Sequence, residues 1–409
     1  MKTGRSEQIR LLQREKMKNN YMKLGDYIQS VDVRNSDLKV SHLLGVSVEK
    51  RFIESIANTI GTDFSKYKIV KKGQFTYIPD TSRRGDKIGI ALLTDFDEGL
   101  VSNIYTVFEI TDTTKLLPEY LMLWFSRPEF DRYARYKSHG SVREIFDWDE
   151  MCRVELPVPD LKEQEKIVNT YNAITKRIQL KQKINENLEK TALSIINEKI
   201  GQTVFSNSTE KEIEEKKNSL PQGWNLITIS EYCSRIESGS TPSRSENEYW
   251  INGNIPWLKS GEVHNNITFE TEEYITEKGL KETSTKLLPV DTVLMAMYGV
   301  TAGEVGYLSI PATTNQAICG MICKNKIEAA YLFFALIQNQ KMISQMSNGG
   351  AQNNLSKAFI ESMFIVVPKE EDLLKLKIDI VLKHFIACSK ELVKLQELKQ
   401  LVISRISGM

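Results

Sequence analysis

The sequence predicts an α+β protein built as a tandem repeat: a mixed α/β globular domain, a long helix, a second mixed globular domain and a second long helix. Three observations carry this expectation. Two stretches free of Pro and Gly hold apolar residues at alternating three- and four-residue spacing. Each stretch follows a region of short apolar runs cut by Gly, Pro and Asn turns. The order of those runs recurs in both halves, the mark of an internal repeat.

The C-terminal helix is expected over Leu374 to Ile406. Its seam reads Leu374, Ile378, Val381, Phe385, Cys388, Leu392, Leu395, Lys399, Val402 and Ile406, apolar at every position but Lys399. Such a heptad stripe makes a coiled-coil strand of about 48 Å, at about 1.5 Å per residue, and it cannot bury its stripe alone. The expected partner lies in the same chain, where the seam reads Ile167, Tyr171, Ile174, Ile178, Lys181, Asn185, Leu188, Ala192, Ile195 and Lys199. Lys181 and Asn185 interrupt this stripe near its middle. Polar seam residues cost stability but fix register and partner choice, which favours a specified pair; two amphipathic helices packed separately on their own domains are the other reading.

The chain divides by pattern into an N-terminal arm (1–21), a globular domain (22–159), a central helix (160–200), a linker rich in Ser, Asn, Lys and Glu (201–218), a second globular domain (219–368) and the C-terminal helix (369–409). The first domain opens at Lys23-Leu24-Gly25-Asp26-Tyr27, with strands expected at Ile69 to Ile78, Ile88 to Leu93 and Val101 to Ile110. A helix is expected after Pro118, then a polar segment through Gly140 and an exit strand at Leu156-Pro157-Val158-Pro159. The second runs from Leu226 to Tyr232 through a strand at Thr292 to Tyr298, a strand at Asn315-Gln316, an apolar helix over Ala329 to Ile337 and a Gly349-Gly350 turn to a strand ending at Pro368. Tyr120-Leu121 matches Tyr331-Leu332 in this order, and Gly140 matches Gly349-Gly350.

Length and composition suit two or three soluble globular domains: 409 residues, 41% hydrophobic and 26% charged. The longest strongly apolar run, Tyr331 to Ile337, is too short to cross a bilayer, and a charged N-terminus is unlike a signal peptide, so a cytoplasmic protein is expected. Five scattered cysteines without a Cys-x-x-Cys pair read as reduced thiols; Cys319 and Cys323 have no nearby His to complete a zinc site. A net charge of +1 is low for a protein that binds nucleic acid unaided, so any such binding calls on other subunits for part of the phosphate neutralisation.

Catalytic signatures are missing from the sequence. It has no P-loop, no Gly-x-Gly-x-x-Gly, no His-Glu-x-x-His, no Gly-x-Ser-x-Gly and no Asn/Asp-Pro-Pro-Tyr/Phe run. Pro79-Asp80 and Pro159-Asp160 lack the downstream acid-x-Lys of a metal-dependent nuclease, and the four His residues are scattered. No catalysis, metal or bound cofactor is expected of this chain.

Against this background the chain resembles the specificity subunit of type I restriction-modification systems. The second half carries the resemblance most strongly, in Leu220-Pro221-Gln222-Gly223-Trp224, Gly239-Ser240-Thr241-Pro242-Ser243, Tyr249-Trp250, Ile255 to Val263 and Asn315-Gln316-Ala317. The first half carries only its opening and exit, and lacks the Gly-x-Thr-Pro and Pro-Trp elements. The resemblance implies two target recognition domains, each reading half of a split double-stranded DNA sequence, related by a pseudo-two-fold repeat. It implies that the long helices pack antiparallel, as a spacer and as a docking surface for two methyltransferase subunits that bind S-adenosylmethionine. It implies, too, a restriction and translocase subunit that joins for cleavage. A protein-interaction or inhibitory module that keeps the same fold is the alternative.

Base readout needs paired donors and acceptors, with cations and hydroxyls on phosphates. In the second domain the candidates are Ser240, Thr241, Ser243, Arg244, Lys259, Tyr298, Gln352, Asn353 and Asn354. In the first they are Arg83, Arg84 and Lys87 in one loop and Lys137, His139, Ser141 and Arg143 in another. Trp250 and Trp257 are read as core.

Overall fold

The computed structural model describes residues 21–55, 61–82, 87–139, 144–206, 209–265, 267–347 and 354–406. They form two compact units. Unit one takes the chain through Ile178 and again from Leu395; unit two is Gln179–Lys394.

In unit one the strands are β1 (Tyr21–Lys23), β2 (Ile28–Val31), β3 (Leu44–Val46), β4 (Phe52–Glu54), β5 (Lys68–Lys71), β6 (Phe75–Tyr77), β7 (Ile90–Leu92), β8 (Glu98–Val101) and β9 (Thr106–Ile110). Helices α1 (Pro118–Phe125), α2 (Pro128–Lys137) and α3 (Trp148–Cys152) follow, then β10 (Glu155–Pro157) and the first part of α4 (Leu161–Lys199). The run expected from Ile69 to Ile78 is two strands, because Gly73 turns the chain at φ +86°. Pro opens both α1 and α2, where its missing N–H is harmless. An antiparallel sheet in the order β2-β9-β6-β7 carries the core. There Phe75 stacks on Phe108 at 4.9 Å and meets Phe125 of α1 edge-on. Exit strand β10 returns to pair with β1.

Unit two continues α4 and then forms β11 (Val204–Phe205), α5 (Glu210–Ser219), β12 (Asn225–Thr228), α6 (Ile229–Tyr232), β13 (Arg235–Ser238), β14 (Ile255–Leu258), β15 (Ile267–Thr268), β16 (Glu273–Ile275) and α7 (Glu277–Glu282). After these come β17 (Val293–Ala296), β18 (Val305–Leu308), β19 (Thr313–Thr314), β20 (Ile318–Ile322), α8 (Lys326–Ser347), α9 (Lys357–Ser362), β21 (Phe364–Val367), α10 (Glu370–Lys375) and α11 (Ile378–Arg405). The order β13-β20-β17-β18 duplicates β2-β9-β6-β7, with β15 added beyond β18. β21 returns to β12 as β10 does to β1.

The repeat extends to single hydrogen bonds. Buried Tyr120 donates its hydroxyl to the Pro157 carbonyl at 2.9 Å, and buried Tyr331 to the Val366 carbonyl at 2.6 Å. After each polar turn the chain returns to the end of a central strand: Phe146 N donates to Pro79 O, and Leu355 N to Met297 O.

Four local expectations are corrected. Residues 201–218 are no structureless linker: Val204 and Phe205 pair with β21, and Thr209 and Glu212 form a capping box that starts α5. Asn315-Gln316 is a turn, held by the Asn315 side chain accepting from Ala317 N, and the strand before it is β19. The apolar helix is longer than Ala329 to Ile337, because Asn325 caps it early and its buried face continues to Ile343. The C-terminal helix is broken, since Lys377 adopts φ +52° between α10 and α11. Leu374 therefore sits on α10, half exposed and off the seam.

Within each unit α4 and α11 run antiparallel. In unit one Ile167, Val168 and Tyr171 share a core with Val402 and Ile406, and the Lys399 ammonium lies 4.9 Å from the Tyr171 ring centre. In unit two Lys181 pairs with Glu391 at 2.6 Å, Asn185 Nδ2 donates to Ser389 Oγ at 2.8 Å, and Cys388 Sγ donates to the Lys181 carbonyl. Leu188, Ala192 and Ile196 then join Ile378, Val381, Leu382 and Phe385. Ile174, Ile178 and Leu395 are buried, and Leu392 is half-buried. Ile195 is only half-buried; Ile196 takes its place, because a straight helix drifts from a strict heptad stripe. No helix among the described residues is long and apolar enough to cross a membrane.

Candidate nucleic-acid interface

Antiparallel register gathers several loops of unit two at one end of its main sheet. Ser238 lies opposite Cys319, Ala296 opposite Ile318 and Met295 opposite Val305. The segments leaving β13 and β17 and those entering β18 and β20 therefore share that end. Gly239 allows the closest approach: a Cβ there would lie 2.2 Å from the Thr314 carbonyl oxygen and 2.3 Å from that of Asn315. The backbone then bonds across, Ser240 N to Thr314 O at 2.9 Å, and Thr241 Oγ1 donates to Gln316 Oε1 at 2.6 Å. Met297 N donates to Ala317 O, and Tyr298 bridges to Asn354. The cluster exposes Thr241, Gln316, Tyr298, Val300 and Asn354. Its hydroxyls and amides are of the chemical kind that can offer paired donors and acceptors to base edges.

Arg244 and Lys259 are held in a network of ion pairs. The Arg244 guanidinium lies 3.7 Å from the Trp250 ring centre and 4.9 Å from that of Trp257, and it pairs with Glu273. Lys259 pairs with Glu272 at 2.7 Å and Glu273 at 3.2 Å. Hydrogen bonding to Arg244 holds the Glu273 carboxyl below its usual range, and Glu272 and Glu273 push the Lys259 ammonium up. Trp257 Nε1 donates to Ser240 O and Trp250 Nε1 to Ser243 O, each at 3.0 Å, while Ser240 Oγ accepts from Ser284 and Ser243 Oγ meets Ser245 Oγ. Arg244 and both tryptophans fasten the 240–244 loop, and Lys259 joins it only through the shared Glu273. Trp257 is buried as expected and Trp250 is half-buried over Arg244.

The matching end of unit one is built around β6. Asp80 bridges to Ile145, Thr81 Oγ1 donates to Ser138 Oγ at 2.9 Å, and His139 and Ile145 exchange backbone hydrogen bonds. The His139 side chain is exposed, as is Lys87, which precedes buried Ile88. Lys137 is half-buried, 3.9 Å from Glu150. Arg135, not singled out from the sequence, pairs with Glu144 beside this turn and also donates to Thr81 O. Arg83, Arg84, Ser141 and Arg143, with Gln352 and Asn353 of unit two, lie outside the described residues.

Two exposed residues of the unit two cluster escaped sequence reading. Gln316 was assigned to a strand, and Val300 stands in a Gly-flanked turn whose only signal is Gly299 and Gly303. Among the described residues no group of three His, Cys, Asp or Glu side chains could hold a metal, and all five cysteines are free thiols. Burial pushes the Cys319 thiol up to about 12, so it is inert rather than nucleophilic.

The family model for the type I restriction modification DNA specificity domain matches this chain twice, over residues 10–190 and 221–402. The chain is 22% identical to the type I restriction enzyme HindI specificity subunit of Haemophilus influenzae, over 83% of this chain and 86% of that protein. It is 26% identical to the MjaIX specificity subunit of Methanocaldococcus jannaschii, over 64% of this chain and 61% of that one. The crystal structure of the type I system S subunit from M. genitalium has the same fold, with a TM-score of 0.58 at 14% identity over 94% of this chain and 95% of that one. Two matched domains, each coinciding with one copy of the structural repeat, establish that the chain belongs to the type I restriction-modification DNA specificity family.

Proposed function

We propose that the two units each read one half of a bipartite double-stranded DNA sequence through the loop clusters at the matching ends of their sheets. The observation that carries this reading is one strand order used twice, with loops of different chemistry on the same end. α4 and α11 serve as spacer and as the dock for two methyltransferase subunits, which supply S-adenosylmethionine, and for a restriction and translocase subunit. The charge of +1 fits such sharing, because partner subunits then neutralise part of the phosphate backbone. Nothing among the relatives favours the inhibitory-module alternative.

The test uses the chain assembled with its methyltransferase subunits. Affinity for duplex DNA measured against salt should fall steeply, by about 0.9 in log–log slope per phosphate contact. Methylation mapped across the host genome should return one split sequence. An assembly indifferent to both salt and sequence would sink the reading.

A further inference from the structure

The connection between β17 and β18 lifts an apolar side chain out of a polar surface. Val300 is 98% exposed, more than any other large hydrophobic among the described residues. The turn that carries it is closed by Ala302 N to Gly299 O at 3.2 Å, Glu304 N to Thr301 O at 2.9 Å and Gly303 N to Ala296 O at 2.8 Å. Gly299 and Gly303 take the left-handed positions at φ +73° and +88°, and Ala302 is the buried anchor. A Cβ on Gly303 would lie 2.5 Å from Ser344 Oγ, so the base of the turn is pressed onto α8.

None of this needs valine at the tip. A β-branched side chain with one free torsion loses little rotamer entropy on contact, which suits it to a preorganised apolar touch. The loops at the same end of the sheet carry exposed Thr241, Gln316, Tyr298 and Asn354, all polar at their ends. On the major-groove edge of a base pair, the distinctive apolar feature is the thymine 5-methyl group, which is read by apolar contact and not by a hydrogen bond.

We propose that Val300 is a specificity-determining residue of unit two, packing against the 5-methyl group of one thymine in the half-site that unit two reads. This rests on the reading of its loop cluster as DNA-facing.

The experiment takes the bipartite duplex found by methylation mapping, with deoxyuridine replacing one thymidine at a time, and measures binding by the methyltransferase assembly. One replacement, confined to a single half-site, should weaken the wild-type assembly about three- to tenfold, the worth of roughly one buried methyl with its packing. Val300→Ala should weaken binding to the all-thymidine duplex by a similar factor and then be blind to that replacement. It should stay as sensitive as wild type to base changes in the other half-site. The proposal is overturned if no single deoxyuridine affects the wild type, if the two penalties multiply, or if the half-site contains no thymine on either strand. Equal weakening on target and unrelated duplexes, or loss of methyltransferase assembly, would make the tip a backbone or protein contact and overturn it too. A wild-type assembly with no sequence preference would end the underlying reading before any variant is made, and this proposal with it.

Discussion

Unit one and unit two hang different chemistry on the same strands. The β6–β7 connection of unit one spans 78–89 and carries Asp80 and Lys87 among its described residues, whereas the β17–β18 connection of unit two spans 297–304 and carries Tyr298, then Val300 between the left-handed Gly299 and Gly303. The strands stay alike because their register is set by a shared core, where a one-residue slip would turn every buried side chain to the solvent. The loops at the reading end have no such constraint. Their divergence is what two different half-sites require, and it separates residues that hold the repeat from residues that use it.

The sharpest way to break the comparison is at Gly239. Its missing Cβ is what lets the 239–241 segment cross Thr314 and Asn315, and methyl overlap with two backbone oxygens cannot be relieved by a rotamer change. Gly239→Ala should cost about 3 kcal/mol and displace the unit two cluster. Base changes in one half-site should then cease to affect binding by the assembly, while changes in the other keep their full effect. The unit one control is Gly73→Ala, at φ +86° with nothing within 4 Å of the added carbon. It should cost only about 1 kcal/mol of backbone strain and spare both half-sites. Equal effects from the two substitutions would mean that Gly239 has no special role in positioning the cluster.

These contrasts show how far the sequence was legible. The seam along Ile167 to Ile178 and the Tyr120 and Tyr331 pair are local patterns, and a repeat doubles each signal. The break at Lys377 is silent, because a lysine at φ +52° carries no Gly or Asn signature. The ion pairs of Arg244 and Lys259 were hidden because their partners Glu272 and Glu273 lie farther along the chain and meet them only after β14 pairs with β16. The strand at Val204 was hidden for the same reason: two apolar residues show no period until β21 lies beside them. Helix drift moved the seam from Ile195 to Ile196, a shift that pattern alone resolves poorly.

If the units are true repeats, equivalent residues should cost the same. Tyr120→Phe and Tyr331→Phe each remove one hydroxyl donor from a buried carbonyl of the exit strand. Each should lower stability by about 1–2 kcal/mol, with the two values within about 0.5 kcal/mol, as read by chemical denaturation. Burial raises both phenols above the ordinary tyrosine range, so neither ionises at working pH and the loss should not vary with pH below 9 or so. A large inequality would show that the exit strands are held differently despite their common geometry.

The smallest expected effect separates the two parts of the helix pair. In unit one the seam is apolar around Ile167, Tyr171, Val402 and Ile406; in unit two it carries the Lys181–Glu391 and Asn185–Ser389 contacts, and Asn185 Oδ1 is buried without a hydrogen-bond partner. A polar layer that leaves an acceptor unsatisfied costs stability, so its value lies in register. Asn185→Leu should raise the unfolding free energy by about 0.5–1 kcal/mol by removing that acceptor and extending the apolar seam, against the lost bond to Ser389. The same variant should loosen spacing, and methylation mapping should then detect sites whose half-sites stand one base pair nearer or farther apart. A more stable variant with unchanged spacing would move the register lock to the Lys181–Glu391 pair, where Lys181→Met is the next test. A less stable variant would show that the Ser389 bond outweighs the unsatisfied oxygen, and the layer would then count as ordinary packing.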